Sequence, residues 1–163
     1  EAPSPRNEVI AEYQSALKLS GNIERGEKVF RKSCTSCHKL GDQGHDVGFN
    51  LATIKNRTPS EVLIHILDPN REVSPNFMNY IVVTDNGRTA IGIIAAETAS
   101  SITLRRAEGK EETILRQNIG EITSSGQSLM PEGLEKDITP QQMADLITFL
   151  LEKPLAQPLN SSD

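Results

Sequence analysis

Cys34 and Cys37 are the only cysteines in the chain, separated by Thr35 and Ser36, and His38 follows directly behind them. At that spacing each thiol can form a thioether to one vinyl group of a haem, and the histidine falls beneath the iron as its proximal ligand. Three other chemistries use similar residues. A redox dithiol opens a helix after a buried strand, whereas residues 26–33 read as the end of a helix. A zinc site needs four donors, and the two other histidines, His45 and His65, have no paired spacing. A disulfide across so short a loop would remove little chain entropy. The residues therefore point to one covalently attached c-type haem.

A proximal histidine leaves one axial position open, and its occupant decides what the iron can do. Met130 is the expected ligand. It lies in Ser128-Leu129-Met130-Pro131, a stretch without helical or strand period, where the proline holds the preceding residue extended. Met78 alternates with Tyr80 and Val82 and is expected inside a sheet; Met143 falls on the apolar stripe of a helix. His45 is tethered on the proximal side, and His65 sits off its helix's apolar stripe, as a solvated residue would. Lys32, Lys39 and Arg57 are candidates for haem propionates or a docking partner, and equally for solvated surface charge.

These side chains must be positioned by a small domain. The chain has 163 residues, of which 36% are hydrophobic and only 4% aromatic, with no Trp. That is a thin core for one domain, and a haem would supply the missing apolar bulk. The net charge of −5 leaves no basic stripe for nucleic acid. No apolar run reaches membrane-spanning length. The chain begins without Met or a signal-like segment, and haem attachment of this kind takes place outside the cytoplasm. The expectation is a periplasmic or otherwise exported protein whose signal lay upstream.

Val9, Ile10, Tyr13, Ala16 and Leu17 recur at helical spacing. Asn22 caps a second helix that carries Gly26, Val29 and Phe30 into the cysteines. Residues 39–49 read as a Gly- and Asp-rich loop. Thr58-Pro59-Ser60-Glu61 and Thr139-Pro140-Gln141-Gln142 are capping boxes with proline at the first helical position, each followed by an apolar stripe. Between them, runs at 80–84, 90–95, 101–105 and 112–115 are short and rich in β-branched residues, with turn residues between. They predict an antiparallel sheet of three or four strands. The fold class read from this is mainly α: a helical haem core at 22–77 and 117–153, a β insertion at 78–116, an N-terminal helix or linker at 1–21, and a flexible tail at 154–163, all one domain.

The order of helix, CxxCH, loop, helix, Met-Pro loop and last helix resembles class I cytochrome c. In that family a small residue and an aromatic cross the C-terminal helix; Gly26 and Phe30 would do so here, against Leu146, Phe149 and Leu150. The family pattern has Gly-Pro after the loop, where the proline carbonyl accepts from the proximal histidine. This chain has Gly48-Phe49, so the bond would pass to Phe49.

The strings Ser74-Pro75-Asn76-Phe77, Asp85-Asn86-Gly87-Arg88, Gly92-Ile93-Ile94-Ala95-Ala96-Glu97-Thr98 and Ser128-Leu129-Met130-Pro131-Glu132-Gly133-Leu134 look like the haem-binding domain of Planctomycetes and Verrucomicrobia. That resemblance implies a non-enzymatic electron-transfer domain with Cys34, Cys37, His38 and Met130 on the haem, serving a fused or partner dehydrogenase. The alternative is a haem-based gas or redox sensor with a dissociable distal ligand. A peroxidase would need a distal acid/base pair, and none is evident.

Overall fold

The computed structural model describes residues 5–153. The expected tail at 154–163 lies outside the described residues. Among the described residues there are four α-helices: α1 (Asn7–Tyr13), α2 (Ile23–Ser33), α3 (Pro59–Leu67) and α4 (Pro140–Glu152). Their starts follow the capping logic of the sequence. The Asn22 side chain accepts from the Arg25 amide, and the Thr58/Glu61 and Thr139/Gln142 capping boxes are both closed.

Helices α2 and α4 cross at Gly26. A Cβ there would sit 2.0 Å from the Asp145 carbonyl oxygen, so only glycine lets the backbones approach this closely. Phe30 fills the groove beside it, its ring centroid 5.4 Å from that of Phe149. Asp145, 1% exposed, is paired by Arg25 and accepts the Asn22 amide; the Arg25 guanidinium holds its carboxyl below the ordinary range. The N-terminal helix packs into this core: Ile10, Tyr13 and Ala16 are buried in it, and the Tyr13 hydroxyl bonds the Glu135 and Ile138 carbonyls.

The mainly α reading needs correction to mixed α/β. Five strands, β1 (Met78–Thr84), β2 (Thr89–Glu97), β3 (Ser101–Arg106), β4 (Lys110–Leu115) and β5 (Ile119–Ser128), form one antiparallel sheet in the order β4-β3-β2-β1-β5. Strand β5 falls in a segment expected to belong to the helical core. Its side chains are mostly exposed, so it has no apolar alternation, and pairing with β1 is what makes it a strand.

The two edge strands, β4 and β5, are consecutive in the chain, joined only by the turn Arg116–Asn118. Four Cα steps span at most about 14 Å, while opposite edges of a flat five-stranded sheet lie roughly 19 Å apart. The sheet must therefore roll. Strand β2 belongs to both halves, its first part pairing β1 and its second part β3, with a register shift between Ile94 and Ala96. Inside the roll, Val82, Ala90, Ile102, Leu104 and Ile114 form a core separate from that of the helices.

Candidate functional site

Helix α2 ends at Ser33, and Cys34 terminates it with a bond from its own amide to the Phe30 carbonyl. The next turn is tight: the His38 and Cys37 amides both donate to the Cys34 carbonyl. Every remaining carbonyl from Thr35 to Cys37 is also bonded. His45 donates to Thr35, and Val47 and Gly48 donate to Cys37. The Ser36 carbonyl accepts from the Glu108 amide at 2.6 Å, a contact that comes from the tip of the β3–β4 hairpin. Glu108 is the one non-glycine residue among those described with a positive φ, 63°, so the tip is held in an unusual backbone state where it meets the motif.

His38 is fixed from two sides. Its Nδ1 lies 3.1 Å from the Phe49 carbonyl; a carbonyl only accepts, so Nδ1 carries the proton and Nε2 keeps its lone pair free. The expected transfer of this bond to Phe49 is what the structure has. On the other side, a Cβ on Gly48 would stand 2.7 Å from His38 Cε1, so glycine is required for the ring to lie against the backbone. Burial lowers the His38 pKa, with the Phe49 bond working weakly against it; the neutral imidazole is the form that binds metal. The Phe49 ring is 45% exposed and meets Phe77 edge-on, centroids 6.3 Å apart. Burial, and next to it Cys37, pushes the Cys34 thiol up to about 12.

Cys34, Cys37, His38 and Met130 all line one cavity of about 620 Å³. Its wall is mainly aliphatic, with Ile54, Val62, Ile66, Leu146 and Leu150 from the helical core, Ile93 from the inserted sheet, and Phe77 from the turn just before β1. Among the described residues no three His, Cys, Asp or Glu side chains converge on a metal-sized point. A large apolar cavity bearing two thiols, an imidazole with a free Nε2 and a thioether fits a flat, hydrophobic iron cofactor and not a bare ion.

The other candidates separate clearly. Met143 is fully buried in the helical core, and Met78 is half-buried on β1, outside the cavity wall. His45 is exposed, next to the hairpin tip at Gly109. His65 is exposed as expected, yet it also lines the cavity. Arg57 lines the cavity too, with its guanidinium 3.7 Å from Glu61; Lys32 and Lys39 are exposed and not on its wall. Sequence reasoning missed Ile93, read only as a strand residue, and Phe77, read only as the end of the segment 22–77; nothing in either signal showed that it would face the cavity.

The family model for cytochrome c matches residues 23–153, from the first residue of α2 to just past α4. No curated protein matches the chain. With most of its length matched, and with the motif, cavity and crossing helices described above, the chain belongs to the cytochrome c family, whose domains bind a covalently attached haem c and carry electrons.

Proposed function

We propose that the haem is bound through Cys34 and Cys37, with His38 Nε2 as proximal ligand and Met130 as distal ligand, in a domain of the planctomycete and verrucomicrobial type. It relays single electrons from a fused or partner dehydrogenase in the periplasm or another exported location. The observation that carries the reading is the convergence of these four side chains on one apolar cavity. When bound, an iron ligated by imidazole and thioether changes oxidation state at a comparatively high potential. The chain's own part is to hold geometry: Gly48 and Phe49 orient the imidazole, and the aliphatic wall excludes water. Pro131 holds the Met130 backbone extended.

The contact between Glu108 and Ser36 favours a second reading, a sensor whose insertion responds to the iron's ligand state. Met130→Ala separates the two. An electron carrier of this ligation does not bind carbon monoxide in its ferrous form until Met130 is removed. The variant should then bind it, lose the long-wavelength sulfur-to-iron band and show a lower potential. Rapid carbon monoxide binding by the unaltered protein would favour the sensor, and a variant identical to the unaltered protein would remove Met130 from the iron.

A further inference from the structure

Strand β5 runs directly into the Met130 loop, which makes no regular secondary structure of its own. Within the loop the Met130 amide bonds the Ser128 hydroxyl at 3.1 Å, and Leu129 donates weakly to the Phe77 carbonyl at 3.3 Å. One side chain from elsewhere grips both ends. Asn70, just beyond the end of α3, accepts the Ser128 amide on Oδ1 at 2.8 Å, and its Nδ2 donates to the Glu132 carboxylate at 2.7 Å. The two anchor points lie two residues either side of Met130, so a single planar amide brackets the thioether.

The first bond is partly buried. The second is exposed but charge-assisted. Asn70 follows buried Asp68 and Pro69, and Asp68 is paired by Arg71. The bracket is thus mounted on the end of a helix whose Leu63 and Leu67 are completely buried. A flexible loop spends more time open the fewer fixed points it has. Asn70 touches no reacting atom itself.

We infer that Asn70 is a positioning residue for the distal ligand, setting how often the Met130 thioether leaves the iron. The inference rests on Met130 being that ligand. Cyanide added to the ferric, haem-loaded protein measures the opening directly: the iron–sulfur bond breaks, an iron–carbon bond forms and no electron is transferred. At saturating cyanide the rate is limited by departure of the sulfur. Asn70→Ala removes both bonds and should raise that rate roughly tenfold to a hundredfold. Asn70→Asp keeps the acceptor for Ser128 but turns the donor to Glu132 into a repelling carboxylate, and should also raise the rate.

Glu132→Ala, at an exposed position, removes only the second bond and should fall between the unaltered protein and Asn70→Ala; it keeps the test open if the Asn70 variants fail to fold. Unaltered cyanide rates in the folded variants, with or without a lower melting temperature, would overturn the inference. The ligand assignment fails by a different signal: Met130→Ala would then show the cyanide rate and sulfur-to-iron band of the unaltered protein.

Discussion

The helical region and the rolled sheet solve the problem of an interior in opposite ways. In the sheet, paired positions such as Val82 with Ala90 and Ile102 with Ile114 turn one face of each strand inward and close a core from protein side chains alone. Among the helices, Phe30 and Phe149 fill only the crossing of α2 and α4, and the aliphatic faces of α3 and α4 instead line the cavity that carries the cysteines, His38 and Met130. One region is complete as polypeptide; the other is shaped around a cofactor. The difference explains how a chain so poor in aromatic residues can fold around a haem and still carry a second structured unit.

The sharpest way to break that contrast is to withhold the haem. In a Cys34→Ala/Cys37→Ala double variant purified without haem, amides of α2, α3 and α4 should lose most of their protection from hydrogen exchange. Amides of β1, β2 and β3 should retain it. Simultaneous loss of protection in strands and helices would show that the sheet has no independent core.

Two glycines give the next largest contrast. Gly26→Ala drives a methyl against the Asp145 carbonyl and should cost about 3 kcal/mol or more in chemical denaturation, because neither helix backbone can yield cheaply. Gly87→Ala meets nothing within 4 Å but must adopt a φ of 81°, which costs about 1 kcal/mol. Equal losses would mean that the α2–α4 crossing is looser than it stands.

What the sequence revealed follows the same division. The proposed attachment motif is contiguous, so Cys34, Cys37 and His38 could be singled out from the sequence, and helices whose caps lie within four residues, such as Thr58 with Glu61, were legible. Strand β5 was not legible, since its polar, exposed residues are organised only by distant pairing with β1. Nor were the long-range contacts at the site: nothing local announces that Glu108 will donate to Ser36 or that Asn70 will bracket Met130. His65 shows the limit from the other side. Its place off the apolar stripe correctly signalled exposure, but not that the exposed position borders the cavity.

The smallest effect concerns the two hairpin tips. The Asp85-Asn86-Gly87 tip lies away from the cavity wall, whereas the Glu108-Gly109 tip docks on the haem motif. Shortening the first should leave spectrum and reduction potential unchanged while altering the reaction with a redox partner. Shifts in both would show that the sheet transmits strain to the iron across its whole width.

The central claim is that Cys34 and Cys37 together hold the haem, and trypsin offers a direct test because Lys32 and Lys39 flank the motif. Mass spectrometry of the peptide 33–39 from the denatured, acid–acetone-extracted protein should find one haem attached and no thiol available for alkylation. A peptide of unmodified mass with two alkylated cysteines would contradict the account.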